Sequence, residues 1–214
     1  MTTGTTRSGR AQRAATYRIQ APRQIEALAS PARQEVVDAL TLIGPTSIAA
    51  LAEDLGRAPD SLYYHVRKLE RVGLVVRCGT REAGSREEAL FDVPGAHMVV
   101  DIEPRSARER GHLLKLVTSA LRVAERDLFA ALESGRAIYR RCARRNAWGA
   151  RVKGWLNPEE LSEVRAHLQA IGDIVLASKR RKGSDLHAVT YVLAPLAPSS
   201  RSKRPGASKS KGNA

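Results

Sequence analysis

Hydroxyl, aromatic and basic side chains recur every three or four residues in one short stretch of the sequence. The residues are Ser61, Tyr64, Arg67, Lys68 and Arg71. At about 100° per residue, such positions fall on one face of a helix. Hydroxyl groups and cations can donate hydrogen bonds to phosphates or to base edges. Because the same residue types also cover ordinary solvated helices, the elements around this face decide whether it is a binding surface.

The other side of the same stretch is apolar. Leu62, Val66 and Leu69 follow one another at intervals of four and three residues, which is typical of a helix face turned toward a core. Pro59 suits the first turn of a helix, and Gly73 ends the pattern. We therefore predict an amphipathic helix that begins at Pro59 and displays its basic face to solvent.

Two helices precede this one, and a hairpin follows it. Ser30-Pro31 starts a helix that ends at Gly44-Pro45, and Thr46 or Ser47 caps a second helix that ends at Gly56. After the third helix, Leu74–Arg77 and Ala89–Val93 have strand character and flank a polar loop with two glycines. The sequence thus predicts three helices followed by a β-hairpin.

This order resembles the winged helix-turn-helix transcription regulators of the ArsR type over about residues 22–95. The resemblance is carried by Leu28–Arg33, by Ile48–Gly56 as the positioning helix, and by Ser61–Val75 as the recognition helix and the start of the wing. It implies a fold that is mainly α with a small β component. It also implies that the third helix enters the major groove of double-stranded DNA and that the hairpin wing lies on the backbone.

The resemblance assigns candidate DNA contacts residue by residue. Ser61, Tyr64 and Lys68 are expected near the bases, Arg71 on a phosphate, and Arg67 on guanine acceptors or phosphates. His65 lies beside the apolar stripe, so it either packs or bonds a phosphate, and Tyr63 is expected to be a partly buried packing residue. On the wing, Arg81 and Arg86 either touch the backbone or the neighbouring minor groove, or are ordinary surface arginines.

The sequence departs from the family pattern at two places. Ala58 stands before the recognition helix where a capping Ser is common, which leaves Pro59 and Asp60 to start the helix. Ile48–Leu55 contains no cysteine, whereas thiolate metal sensors of this family commonly carry a Cys pair there. We therefore expect no metal site and no cofactor.

A long helix is predicted over residues 105–134. Its apolar positions recur at alternating intervals of three and four residues, as in a coiled-coil seam: Leu114, Val117, Leu121, Ala124, Leu128 and Ala131. Such a seam must be buried, either against its own chain or against a second copy. We favour a homodimer, because dimeric winged helices read pseudo-palindromic sites.

Residues 135–194 are predicted to form a small α+β unit with a regulatory role. Asn157-Pro158 starts a helix that ends at Gly183, and His187–Leu193 alternates like a strand. The basic block between the two long helices is either a pocket for an anionic or aromatic effector or a second phosphate-contacting surface. Alternatively, its tryptophans are core anchors and its arginines a solvated face. The residues concerned are Arg140, Arg141, Arg144, Trp148 and Trp155.

The net charge of +14 is concentrated in three segments that lack acidic residues. These are residues 1–20, 134–158 and 195–214. A polyanionic partner is the usual reason for such a balance, although basic tails can also serve solubility alone. The first and last segments are predicted to be disordered tails, so the DNA-binding domain is expected over residues 21–100.

Other classes of protein have little support in the sequence. No apolar run suits a membrane span or a secretory signal, and two cysteines suggest a reducing interior, so we expect a cytoplasmic protein. There is no P-loop, no dinucleotide glycine fingerprint and no histidine pair at helical spacing, so we expect no enzyme. The expected function is a homodimeric, sequence-specific transcription regulator. The alternatives are a non-catalytic winged-helix module for protein or RNA, and a non-specific chromosome-associated protein.

Overall fold

The computed structural model describes residues 13–84, 86–178 and 180–196. It confirms a fold that is mainly helical with a small β component. Among the described residues, no helix is both long enough and apolar enough to span a membrane. The elements in chain order are β1 Ala14–Ile19, α1 Pro22–Leu28, α2 Pro31–Ile43, β2 Thr46–Ser47, α3 Ile48–Asp54, α4 Pro59–Arg71, β3 Val76–Ala83, β4 Arg86–Asp92, β5 Gly95–Val100, α5 Ala107–Glu133 and α6 Pro158–Ala177.

The core lies among the first four helices and is aliphatic. The largest side chains that it buries completely include Ile25 of α1, Leu40 of α2, Leu51 of α3 and Leu62 of α4. Full burial of a side chain of this size contributes about 1.5–3 kcal/mol, so these contacts set the relative positions of the helices. Leu74, in the segment between α4 and β3, belongs to the same core and has no exposed surface.

The predicted hairpin is present as β3 and β4. They pair antiparallel from Val76 opposite Asp92 to Ala83 opposite Arg86, with a register shift between Arg77 and Gly79. The short strand β2 pairs with the other edge of β4, which gives a three-stranded sheet in the order β2-β4-β3. This edge pairing anchors the base of the hairpin beside the start of α3.

The prediction that residues 1–20 form a disordered tail is wrong for residues 14–19. Ala14–Ile19 is a strand, and it pairs in parallel with β5, from Ala14 opposite Gly95 to Ile19 opposite Val100. Ile19 is buried against the core, and the hydroxyl of Tyr17 accepts a hydrogen bond from Gln24 Nε2 at 2.9 Å. The ordered domain therefore includes Arg13 and β1 and does not start at Ala21. The rest of the predicted tail, residues 1–12, lies outside the described residues.

Arg13 locks this N-terminal strand to the hairpin and to α2. Its Nε lies 2.9 Å from both carboxylate oxygens of Asp92, a residue with only 2% of its surface exposed. The same guanidinium donates to the carbonyl oxygens of Leu40 at 2.6 Å and Thr41 at 3.1 Å. Those two carbonyls belong to the last turn of α2, where intrahelical donors run out, and the Leu40 carbonyl also accepts from Gly44 N at 3.0 Å. One side chain thus joins three elements.

Helix α5 is fixed to the first two helices. It begins with a capping box in which the Ser106 hydroxyl accepts from Glu109 N at 3.1 Å. Gln34 Nε2 donates to the carbonyl of Leu116 at 3.0 Å, and Glu35 forms ion pairs with both Arg126 and Arg57. Because adjacent residues of α2 hold α5 at two separate points, Leu116 and Arg126, the orientation of α5 is coupled to the helical domain.

The carboxyl group of Asp38 lies on α2 beside this junction and has a perturbed pKa. Desolvation by the surrounding protein, together with the nearby carboxylates of Glu35 and Asp127, raises the pKa of Asp38 from 3.8 to about 6. The folded state therefore holds this proton more tightly than the unfolded state does. The protonated Asp38 carboxyl group therefore contributes to the free energy of unfolding near pH 4. This contribution is lost as the pH rises from about 4 to about 6.

Asp38→Asn is expected to be more stable than the wild type at pH 7 and equally stable near pH 4. Although its carboxyl group is desolvated, Asp38 keeps exposed surface, so solvent screening limits the gain to about 1 kcal/mol. Urea unfolding of both proteins across this pH range tests the expectation. Asp54→Asn, which removes an exposed acid from α3, serves as the charge-matched control. Parallel curves for Asp38→Asn and the wild type would contradict the assignment.

The prediction of a C-terminal α+β unit is correct for its helix and wrong for its strand. Helix α6 starts at its predicted cap, with Glu160 N donating to Asn157 Oδ1 at 2.8 Å, but it ends at Ala177 and buries none of its residues. Residues 180–196 contain no strand, so His187–Leu193 alternates without pairing. A strand needs a hydrogen-bonded neighbour, and the sequence pattern cannot supply one. The regulatory role of residues 135–194 stays a prediction, and residues 197–214 of the predicted C-terminal tail lie outside the described residues.

Candidate nucleic-acid interface

Helices α3 and α4 are joined by a tight turn that sets their crossing. The Ser47 hydroxyl caps α3 by accepting from Ala50 N at 3.3 Å. Gly56 lies in the turn with φ of 59°, a left-handed conformation that glycine adopts without strain. Helix α4 begins at Pro59 after Ala58, which provides no side-chain cap, as its residue type predicts. The arrangement packs one face of α4 into the core and leaves the opposite face exposed.

The two faces of α4 are separated as the sequence predicts. Leu62, Val66 and Leu69 have no exposed surface. The outward face is polar and basic, and all its predicted members are exposed: Ser61, Tyr64, Arg67, Lys68 and Arg71. Tyr63 is exposed as well, with 52% of its surface accessible against 56% for Tyr64. The prediction that Tyr63 is a partly buried packing residue is therefore wrong, because the described elements that pack against α4 leave that flank accessible.

Tyr64 and Lys68 form a pair at the centre of this face. The Lys68 Nζ lies 4.9 Å from the centroid of the Tyr64 ring, at the i,i+4 spacing of neighbours on a helix. A hydrogen bond from Lys68 and its positive charge lower the pKa of Tyr64. The pair presents a cation and a phenol oxygen together, which can engage a phosphate or a base edge. Arg67 is 3.7 Å from Glu70, a loose surface pair that leaves its guanidinium available.

His65 lies half-buried on the flank of α4, next to positive charge. Its ring meets the Tyr64 ring edge-on with centroids 5.5 Å apart. Desolvation and the charges of Arg33, Arg57 and Lys68 lower the pKa of His65, which favours the neutral imidazole. Within the described part of the chain, its buried Nδ1 has no hydrogen-bond partner. A neutral ring in this position acts as packing or as a hydrogen-bonding group and not as a cation.

The two predicted wing arginines differ in their surroundings. Arg81 Nη2 donates to the Ser47 hydroxyl at 2.8 Å and pairs with Glu88 at 2.9 Å, so its charge is compensated within the chain. Bonds to Ser47 and to Arg81 lower the pKa of Glu88 accordingly. Arg86 is exposed near the tip of the hairpin, and no carboxylate in the described ranges lies within ion-pair distance of it. Arg86 is thus the wing arginine that remains available to a ligand.

Arg33 is a basic residue beside the interface that sequence reasoning missed. Its guanidinium donates to the carbonyls of Ala27 and Glu26 at the end of α1. It lies close enough to α4 to contribute to the lowered pKa values of Tyr64 and His65. Its position at the start of α2 carries no sequence signal for this proximity, which arises from the packing of α2 against α4.

The predicted effector residues are not brought into one pocket. Arg140, Arg141, Arg144 and Trp148 share one loop, whereas Trp155 lies outside it with 98% of its surface exposed. Trp148 is 72% exposed. The alternative interpretation of the tryptophans as core anchors is therefore wrong.

Comparison with known proteins agrees with this geometry. A family model described as a helix-turn-helix domain matches residues 28–78, which run from the end of α1 through α4 into β3. The chain therefore contains a helix-turn-helix domain, the kind of domain with which DNA-binding regulators contact DNA. No protein with a curated description matches the sequence. A crystal structure of RV1404 from Mycobacterium tuberculosis matches with 18% identity over 70% of this chain and 82% of that chain, at a TM-score of 0.27. A score this low supports no further comparison.

Proposed function

We propose that the chain is a sequence-specific, non-catalytic transcription regulator of the winged helix-turn-helix type, similar to ArsR regulators, and that it acts on double-stranded DNA as a homodimer. The observation that carries the proposal is the separation of α4 into a buried apolar face and an exposed polar and basic face. Its apolar stripe is completely buried, while its exposed face displays Ser61, Tyr64, Lys68 and Arg71. A single helix of this kind fits the major groove of B-DNA, where hydroxyl groups and cations meet base edges and phosphates.

The hairpin supports the same docking. Its base is anchored by β2 beside α3, and its tip carries the exposed Arg86. With α4 in the major groove, the hairpin that follows α4 in the chain is expected to reach the flanking backbone, where a cation meets phosphates. Arg81 serves as an internal brace of the wing through Glu88 and Ser47, and Arg86 makes the contact.

The homodimer is supported by the exposed seam of α5. Leu114, Leu121 and Leu128, spaced seven residues apart, expose 67%, 47% and 37% of their surfaces. A shallow groove at the start of this seam is lined mainly by apolar side chains: Pro104, Leu113, Leu114 and Val117, with Arg110 at its edge. An apolar stripe of this length is typical of a surface that pairs with a copy of itself.

Selection of bound sequences from a random DNA pool tests the proposal as a whole. A dimer should enrich a pseudo-palindrome whose half-sites are about one helical turn apart, roughly 10 base pairs. Enrichment of a single half-site would contradict the homodimer but would still agree with base contacts made by α4. Recovery of unenriched DNA would indicate a non-specific chromosome-associated protein, and failure to retain DNA at all would favour a protein- or RNA-binding module.

Replacing Tyr64 or Lys68 by Ala is expected to weaken binding to the selected site about 5- to 100-fold, as loss of a base-edge contact does. Binding to mixed-sequence DNA should change much less, because phosphate contacts made elsewhere do not depend on the base sequence. Fluorescence anisotropy with both duplexes measures the difference.

Neighbouring residues provide matched controls for this test. Tyr63→Ala removes an equally exposed ring from the flank of α4, and Lys115→Ala removes an exposed lysine from α5. Both controls should retain specific binding to within a few-fold. If Tyr64→Ala and Lys68→Ala weaken both duplexes by the same factor, these residues do not read the sequence.

A further inference from the structure

Residues 136–149 form a closed loop after α5, here called the basic loop. Asn146 clamps it at its base. Ile138 N donates to Asn146 Oδ1 at 2.6 Å, Asn146 Nδ2 donates to the Arg136 carbonyl at 3.0 Å, and Asn146 N donates to the Ile138 carbonyl at 3.2 Å. The Tyr139 hydroxyl donates to the Gly149 carbonyl at 2.7 Å, which ties the last residue of the loop back to a residue near its start. The loop thus holds its own shape without a core beneath it.

A stacked arginine braces the interior of the basic loop. The Arg145 guanidinium carbon lies 3.6 Å from the centroid of the Trp148 ring and 5.3 Å from that of the Tyr139 ring. Its Nε donates to the Ala147 carbonyl at 3.1 Å. Stacking of this kind fixes a guanidinium without cancelling its charge. Arg145 therefore supports the loop and contributes to its positive field.

The other arginines of the basic loop are exposed and uncompensated. They are Arg136, Arg140, Arg141 and Arg144. None of the ion pairs found in the described part of the chain includes a basic-loop residue, whereas Arg13, Arg57 and Arg126 all have carboxylate partners. The sequence has no Asp or Glu from residue 134 to residue 158. Such concentrated charge fits a ligand with closely spaced anionic groups.

Helix α5 connects the basic loop to the junction that holds the segment before α4. Glu35 pairs with Arg126 of α5 and also with Arg57, which lies two residues before the start of α4. Beyond Arg126, α5 continues to Glu133, a rise of roughly 10 Å. The loop therefore starts within a short distance of the junction that holds the N-terminal end of α4.

We propose that the basic loop is a second DNA-contacting element, which binds backbone phosphates of duplex DNA beside the site that α4 reads. This inference rests on the proposed function in one respect, namely that the chain binds DNA. The observations that carry it are the clamped loop, its four uncompensated arginines and its connection to the α4 junction. Phosphate contacts of this type fix position and add affinity without reading bases.

The salt dependence of DNA binding tests the proposal. The full chain and the variant Arg140→Gln/Arg141→Gln/Arg144→Gln are titrated with a mixed-sequence duplex of about 30 base pairs, three helical turns. Each lost phosphate contact lowers the slope of log K against log salt by about 0.9, so the slope should fall by about 2 to 3. The matched lysine variant at the same three positions keeps the charge and should keep the slope.

A charge-matched control separates the loop from general electrostatics. Arg108→Gln/Arg122→Gln/Arg165→Gln removes the same charge from exposed positions on α5 and α6. Its slope should equal that of the wild type. Equal losses in both triple variants, or no loss in the loop variant, would overturn the proposal. A loop variant that loses binding only to single-stranded DNA or RNA would overturn it in favour of a single-strand site.

Tryptophan emission gives an independent readout. The chain has two tryptophans, and Trp155→Phe leaves only Trp148, inside the basic loop. Duplex binding should change the emission of this variant at the same DNA concentrations that raise the anisotropy. If the anisotropy rises while the emission stays constant, the loop is not at the interface and the proposed function stands alone. If the wild type binds no duplex even at low salt, the proposed function fails and the loop proposal fails with it.

Discussion

Asp92→Ala is expected to lower the free energy of unfolding by about 3 kcal/mol, the lower end of the range for removing one partner of a buried ion pair. Asp92 is 2% exposed, and its carboxylate accepts from Arg13 and from Val93 N at 2.8 Å. Without it, the Arg13 guanidinium stays largely buried beside the end of α2 with no counter-charge. In a chain of this size, the midpoint of thermal unfolding should fall by roughly 6 to 12 °C.

Asp101→Ala is the matched control, because it breaks another ion pair between β1 and the β5 region. Arg18 Nη1 lies 2.8 Å from Asp101 Oδ2, but the two side chains are 69% and 43% exposed. Surface pairs of this kind contribute little, so this variant should unfold at nearly the wild-type temperature. Thermal and urea unfolding followed by circular dichroism measure both variants. Equal destabilisation by the two substitutions would show that burial is not what makes the Arg13 pair important.

The Arg13 pair also shows where sequence reasoning reaches its limit. The segment before Ala21 has no apolar run, so its composition favoured disorder. Its order comes from β5, which lies some eighty positions later, and from one buried carboxylate at the end of β4. Neither partner can be inferred from the residues around Arg13. Long-range parallel pairing of this kind leaves almost no local signal.

Helix α4, by contrast, was predictable because its signals are local. The regular spacing of its apolar residues, Pro59 at its start and Gly73 after its end all lie within the helix or next to it. The same logic failed for Tyr63, since the width of the buried stripe depends on which neighbours cover it. It could not show that Arg81 is engaged by Glu88 either, because this pairing depends on the register of the hairpin.

The second half of the chain shows the same distinction. The start of α6 was predictable from its capping residue Asn157, and α5 begins within two residues of its predicted start at residue 105. The closed shape of residues 136–149 was not, because it depends on Asn146 reaching back across the loop to Ile138 and Arg136. The sequence showed the charge of this segment but not its scaffold.

Leu121→Glu is expected to convert the proposed homodimer into a monomer. Leu121 lies in the middle of the α5 seam and is 47% exposed, so a glutamate there is solvated in the monomer and the fold is retained. In a paired seam, two such glutamates would be desolvated and repel each other. Analytical ultracentrifugation should show a dimer for the wild type and a monomer for the variant. Leu128→Glu, one heptad later, should give the same result.

Loss of the dimer should reduce affinity for a two-half-site operator by about 100-fold or more, since the second half-site is then no longer bound at high effective concentration. Affinity for a single half-site should change little, because α4 and its exposed face are untouched. Arg122→Glu places a new acid on the side of α5 away from the seam and should remain dimeric. If Leu121→Glu and Leu128→Glu remain dimers, the interface lies elsewhere. The next surface to test is α6, where Leu161, Ile171 and Ile174 are 37%, 41% and 72% exposed.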